Sequence, residues 1–198
     1  IKYYKMAIEK GNADAMINFA KLLEEGDGIE ENKEEADRYI KLAADKGNDE
    51  AMLTYAIMLD HGEGVEENKE EALKYYKMSA DKGNDIAMLN YASMLEKGEG
   101  GVEPNKEEAI KYYKMSADRG NDIAMNNYAH MMNIGDGVEE NKEEALKYYK
   151  KSADKGNELA MFNYATIIEN EDKEEAQNYY KKSADKGNEL AMLNYATI

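Results

Sequence analysis

Apolar and small residues return along this chain in two alternating helical registers. In the segment 85–97, DIAMLNYASMLEK, the residues Ala87, Met88, Tyr91, Ala92 and Leu95 fall at i, i+1, i+4, i+5 and i+8, which is one face of a helix. In the segment 69–82 the set Ala72, Tyr75, Tyr76, Ser79 and Ala80 falls at i, i+3, i+4, i+7 and i+8, again one face. The first register predicts a helix A over 85–97, and the second a helix B over 106–119 in the same repeat. Asn84 stands where a side-chain oxygen can cap helix A, and Gly98 where the chain must leave it. Asn105 precedes helix B, with Glu108 three residues later in a capping-box arrangement. The same spacing recurs as Asn32/Glu35, Asn68/Glu71 and Asn141/Glu144.

The two registers alternate with a fixed period. Gly-Asn recurs at Gly11, Gly47, Gly83, Gly120, Gly156 and Gly187, at spacings of 36, 36, 37, 36 and 31 residues. The longer spacing contains one extra glycine at Gly100-Gly101. The shorter one lacks the Gly-x-Gly-Val segment, reading ENEDKEEA from Glu169 to Ala176. A helix pair of this length cannot bury its apolar face alone, so neighbours must stack. The expectation is one all-α solenoid over 1–198: a partial helix B at 1–10, repeats at 11–46, 47–82, 83–119, 120–155 and 156–186, and a partial helix A at 187–198. Since the chain starts within a helix B and stops within a helix A, a piece of a longer array is the preferred expectation. End-to-end self-association is its alternative.

Comparison of the copies separates constant positions from free ones. Four columns of helix A vary and share one side of the helix, at i, i+3, i+7 and i+11. The first reads Asp14, Glu50, Ile86, Ile123, Leu159; the second Ile17, Leu53, Leu89, Asn126, Phe162. The third reads Lys21, Ile57, Ser93, His130, Thr166; the fourth Glu25, His61, Lys97, Ile134, Asn170. Variation without loss of the repeat marks a face that does not hold the repeats together. Its apolar members predict an exposed recognition surface for a protein or peptide.

Two helices, a Gly-x-Gly-Val loop and this period resemble the Sel-one-like repeat, a relative of the tetratricopeptide repeat. In the second copy the matching residues are Ala51, Tyr55, Ala56 and Leu59, then Gly62, Gly64 and Val65, then Ala72, Tyr76, Ala80 and Gly83. The family usually has Leu-Gly where this chain has Tyr55-Ala56 and Tyr91-Ala92, a modest repacking. The fifth copy, without its loop, comes nearer to a plain tetratricopeptide repeat. The resemblance implies a right-handed superhelix with helix A on the concave side, and adaptor or scaffold roles.

Charge narrows the partner class. The net charge is −16, with no basic stretch to displace counterions from phosphates, so nucleic acid is not expected. No apolar run is long enough for direct membrane insertion, and anionic membrane surfaces are disfavoured. With no cysteine, no glycosylation sequon and no signal segment in these residues, the favoured compartment is the cytoplasm. No cofactor is expected. Ser79-Lys82, Ser152-Lys155 and Ser183-Lys186 have the Ser-x-x-Lys spacing of penicillin-recognising enzymes, but its companion motifs are missing and it repeats with the helices, which argues for a structural role. His61 and His130 lie in different columns two repeats apart, as groove residues rather than zinc ligands. The acidic loops lack the alternating ligands of a calcium site. No acid, base and nucleophile converge, so the expected activity is binding and not catalysis.

Overall fold

A computed structural model describes all of residues 1–198, and every element in it is a helix. Helices of the A type are α2 (Ala13–Glu25), α4 (Asp49–His61), α6 (Asp85–Lys97), α8 (Asp122–Ile134), α10 (Glu158–Ile168) and α12 (Glu189–Thr197). Those of the B type are α1 (Lys2–Glu9), α3 (Lys33–Asp45), α5 (Lys69–Asp81), α7 (Lys106–Asp118), α9 (Lys142–Asp154) and α11 (Lys173–Asp185). The expected A helix over 85–97 is α6, and the expected B helix is α7, ending one residue earlier. The chain divides into two compact units, Ile1–Pro104 and Asn105–Ile198.

Each Gly-Asn dipeptide closes one helix and opens the next. At the end of α3 the Gly47 N–H donates to Ala44 (2.9 Å) and the Asn48 N–H to Ala43 (3.1 Å), with Gly47 at φ +90°. This is a Schellman motif, and the left-handed φ is what selects glycine. The Asn48 side chain then accepts from Ala51 N–H (2.9 Å) at the start of α4. The same arrangement recurs in the second unit, where Asn157 N–H donates to Ser152 (3.2 Å) and its side chain accepts from Ala160 (3.0 Å). Two neighbouring residues thus satisfy helix-end groups that would otherwise be orphaned on both sides of the turn.

The other turn, from A to B, departs from the expected capping box. Asn32, Asn68, Asn105 and Asn141 do accept from the N–H of Glu35, Glu71, Glu108 and Glu144, at 3.0–3.1 Å. Yet the backbone N–H of Asn32, Asn68 and Asn141 donates back to Leu23, Leu59 and Met132, each at 2.8 Å, and not to the glutamate. That bond folds the loop onto the last turn of its own helix A. Glu35, Glu71 and Glu108 accept instead from the side-chain amide of the capping asparagine, at 3.3, 3.5 and 3.1 Å, and Glu144 accepts from Tyr128 at 2.8 Å.

Packing follows the repeated positions. Ala36 and Ala72 in one unit, and Ala109, Ala145 and Ala176 in the other, have no exposed surface, so helices approach closely there. Tyr76, Tyr113, Tyr149 and Tyr180 are the largest fully buried side chains, which makes the second tyrosine of these Tyr-Tyr pairs core. The first tyrosine of each pair meets the helix-A aromatic of its repeat edge to face: Tyr55–Tyr75 at 5.0 Å, Tyr128–Tyr148 at 4.7 Å and Tyr164–Tyr179 at 4.8 Å between centroids. Such pairs add about 0.5–1.5 kcal/mol beyond burial.

That tyrosine also ties one B helix to the previous one. Tyr75 donates to Asp45, Tyr148 to Asp118 (2.6 Å) and Tyr179 to Asp154 (2.8 Å). An aspartate in the last turn opposes the helix dipole and requires partners. Besides tyrosine, Lys41 lies 2.8 Å from Asp45, and Lys114 lies 3.1 Å from Asp118. Burial pushes Asp45 up, but hydrogen bonds from Lys41 and Tyr75 outweigh it and leave the carboxyl below the usual range. Burial, then donation to the aspartate, pushes the phenols of Tyr75 and Tyr179 up to about 12.

The Gly-x-Gly loop is a contact between repeats. A methyl at Gly100 would sit 2.8 Å from the Lys69 carbonyl oxygen and 3.0 Å from Leu73 Cβ, on the first turn of α5. In the second unit, one at Gly137 would sit 2.6 Å from Lys106 Cβ on α7. Nothing lies near Gly101, so Gly101 is the inserted residue of the long spacing. In the fifth repeat α10 ends at Ile168, with no left-handed glycine, and Asp172 replaces asparagine as the cap of α11, accepting from Glu175 N–H (2.9 Å).

Gly100 and Gly101 share a φ of +77°, so alanine at either incurs the same left-handed penalty of about 1–2 kcal/mol. Gly100→Ala is expected to destabilise by about 1–3 kcal/mol more than Gly101→Ala, because only its methyl meets the backbone of α5. Equal urea midpoints for the two variants would contradict the packing role. The tyrosine ties predict alkaline sensitivity. The folded chain holds the Tyr75 and Tyr179 protons more tightly than the unfolded chain, whose phenols titrate near 10.0. Between those values the folded state binds more protons, so stability is full below pH 10.0 and falls as pH rises toward about 12. Tyr75→Phe and Tyr179→Phe should each flatten this fall, measured as the urea midpoint against pH.

Candidate protein-interaction face

The expected recognition surface rests on the A helices, and each unit presents its own part of it. In the unit Ile1–Pro104, column one (Asp14, Glu50, Ile86) and column four (Glu25, His61, Lys97) are exposed. Column three is exposed at Lys21 and half-buried at Ile57 and Ser93. In the unit Asn105–Ile198, Ile123, Leu159, His130, Thr166, Ile134 and Asn170 are all exposed. Ile86, Ile123, Leu159 and Ile134 leave 46%, 50%, 52% and 52% of their surface open, so aliphatic groups do stand in solvent on this face.

Column two requires correction. Leu53, Leu89 and Phe162 are half-buried, while Ile17 (9% exposed) and Asn126 (8%) are buried. Asn126 accepts from Asn163 of α10 (3.1 Å) and directs its own amide at Asn127 (3.4 Å), so it is part of the joint between neighbouring A helices. The Phe162 ring lies 5.9 Å from that of Tyr180, which gives it a packing duty as well. This column turns toward the adjoining helix, and its members vary because each contact between repeats is matched locally. Asn163 carries no signal of this in the variable columns.

Polar links also run along the face within each unit. Lys21 reaches Glu50 of the next A helix (3.4 Å), and the capping amide of Asn48 donates to Asp14 (2.9 Å). In the second unit Asn157 donates to Asp122 (3.1 Å). Exposed ion pairs of this kind contribute about 0–1 kcal/mol, so they orient side chains more than they stabilise. His61 Nδ1 lies 3.0 Å from the Ile57 carbonyl oxygen, and His130 Nδ1 lies 3.5 Å from the Tyr149 hydroxyl. No group of three or more His, Asp or Glu residues is placed to hold a metal ion. No helix is long and apolar enough to cross a membrane.

The Ser-x-x-Lys serines have a structural duty. Ser79, Ser152 and Ser183 are fully buried, and their hydroxyls donate to the carbonyls of Asp49 (2.9 Å), Asp122 (2.7 Å) and Glu158 (2.7 Å) at the start of helix A in the same repeat. Each locks the end of helix B to the beginning of helix A.

The geometry agrees with comparisons to known proteins. The model of the Sel1 repeat matches residues 1–12, 13–48, 49–84, 85–121, 122–157 and 159–188. Each of these matches ends on the asparagine of a Gly-Asn dipeptide. Among solved structures, the chain is similar to a protective antigen with an SLR fold present in uropathogenic Escherichia coli strains, at 26% identity and a TM-score of 0.90. That likeness covers 100% of this chain and 43% of the antigen, so the chain spans less than half of the antigen's length. A Sel1 repeat protein from Oxalobacter formigenes is 28% identical with a TM-score of 0.84, over 92% of this chain and 77% of that one. An immunity protein from Pseudomonas aeruginosa shares the fold at 21% identity and a TM-score of 0.53, over 93% of this chain and 72% of that one. No curated protein matches the chain. The fold is an all-α solenoid of a kind typical of protein-interaction scaffolds. With its matched repeats running from residue 1 to residue 188, the chain belongs to the Sel1-repeat family.

Proposed function

We propose that the chain is a non-catalytic scaffold whose A-helix faces hold a protein or peptide partner. The observation that carries this reading is the exposed aliphatic set of the second unit, Ile123 and Ile134 on α8 and Leu159 on α10, at positions the repeat does not need for its own packing; Ile86 on α6 is the counterpart in the first unit. Burying such groups against a partner gains about 25 cal/mol per Å² of apolar area. Their polar neighbours differ from repeat to repeat, which is what selection of one partner requires. The net charge of −16 favours encounter with a cationic partner surface. The family's typical role as an interaction scaffold supports the same reading.

The test uses charge at the most exposed aliphatic positions. Phe162→Ala is a poor choice, since Phe162 also packs near Tyr180. Ile123→Asp and Leu159→Asp should leave the melting temperature unchanged, because both side chains stand half in solvent. A partner captured by the protein, then purified and titrated, should bind each variant at least about tenfold more weakly, which is about 1.4 kcal/mol. Undiminished affinity in both variants would overturn the assignment of the face.

A further inference from the structure

The missing loop of the fifth repeat leaves a surface bare that is covered at equivalent places in the same chain. In the first unit, the turn at Gly100 packs on the first turn of α5, and Leu73 beneath it is 8% exposed. Beside it, Glu99 of the turn pairs with Lys69 at 3.1 Å. In the second unit, the turn at Gly137 packs on the first turn of α7, where Ile110 is 6% exposed and Asp136 pairs with Lys106 at 2.8 Å. The first turn of α9 carries the same residue types, Lys142 and Leu146, but receives no such turn. A hollow of about 590 Å³ opens there, lined by Asn133, Lys142, Glu143, Leu146, Ile167 and Glu171. Leu146 is half-buried where Leu73 and Ile110 are buried, and Ile167 is half-buried where Met94 and Met131 are buried. Lys142 pairs with Glu140 of its own loop (3.3 Å), as Lys33 of α3 does with Glu31 (3.5 Å), and forms no ion pair with Glu171 of the following repeat. A comparable hollow at Asp37 has Glu63 and Gly64 of the turn in its wall; the one at α9 has only Glu171 of the shortened turn.

We propose that this hollow is a docking slot for a tight glycine turn of a partner polypeptide, carrying a carboxylate for Lys142 and an aliphatic side chain for Leu146 and Ile167. The occupant is defined by what fills the equivalent places at α5 and α7: a glycine turn whose acidic residue meets the first lysine of helix B. Glycine is needed because any side chain at the contact position would strike the helix backbone, as at Gly100 and Gly137. The slot is separate from the exposed aliphatic residues of the A-helix face, so each assignment can fail alone.

The probe is the heptapeptide Gly-Asp-Gly-Val-Glu-Glu-Asn, the sequence of residues 135–141, titrated to millimolar concentration into the full chain. Methyl NMR should show saturable shifts confined to Leu146, Ile167 and their neighbours. Those shifts should vanish for Lys142→Glu, and for a variant in which a Gly-x-Gly-Val loop is restored between α10 and α11. They should persist in Leu159→Asp, which alters only the A-helix face. An absence of shifts, or shifts that survive loop restoration, would overturn the slot. Concentration-dependent self-association without peptide, abolished by loop restoration, would assign it to a second copy and overturn the partner assignment.

Discussion

A glycine in the left-handed region can end one helix without a steric penalty, and an asparagine after it can start the next with its side chain. In this chain the two are adjacent, so the reversal from helix B to helix A takes almost no connecting residues. The asparagine gives its N–H to the helix behind it and its carbonyl oxygen to the helix ahead, as Asn48 and Asn157 do. Everything else depends on that junction, because it sets the phase between the two apolar faces. A slip of one residue would rotate the alanines away from the close contacts and expose the tyrosines that now have no solvent contact. The buried serines brace the helix pair within each repeat, binding Asp49, Asp122 and Glu158 at the start of the preceding helix A.

Within each unit, successive repeats are then joined by contacts that recur with the same period. A tyrosine from one B helix reaches the aspartate at the end of the preceding one, and a lysine one turn earlier holds that aspartate from the other side. The lysine precedes the aspartate by four residues in the same helix, the less favourable order for an isolated helix, so its part is to hold the carboxylate that the tyrosine of the next repeat reaches. A stack held together mostly by nearest neighbours tolerates local changes of loop length. The extra Gly101 and the shortened turn after α10 are such changes, and neither interrupts the helices on either side.

The same logic separates structural surface from surface that is free to act. Ile86, Ile123 and Leu159 stand in solvent because they fall one position before the buried set, which begins at Ala87, Ala124 and Ala160. Loss of a loop frees surface differently, by removing the cover from Leu146 and Ile167. The first kind of surface varies from repeat to repeat and is the one proposed to receive a partner. The second occurs at one place and supports a local contact.

Much of this was legible from residues alone. Periodicity and caps placed the two helices of the third repeat to within a residue, because the caps are local: an asparagine needs only the N–H three positions on, and glycine needs only its own backbone. The Tyr-Tyr pairs were identifiable as core because their spacing repeats with the helix. The serines were recognisable as structural by repetition, although their carbonyl partners were not, since those lie in another helix. Exposure was less legible. Ile17 and Asn126 vary between repeats just as Ile86 and Leu159 do, yet they are buried, for variability records that a position is not shared and does not record whether a neighbour covers it. The bare turn of α9 was hidden for the same reason: the missing loop is plain in the sequence, but only the stacking of one repeat on the next reveals which residues that loop would have covered.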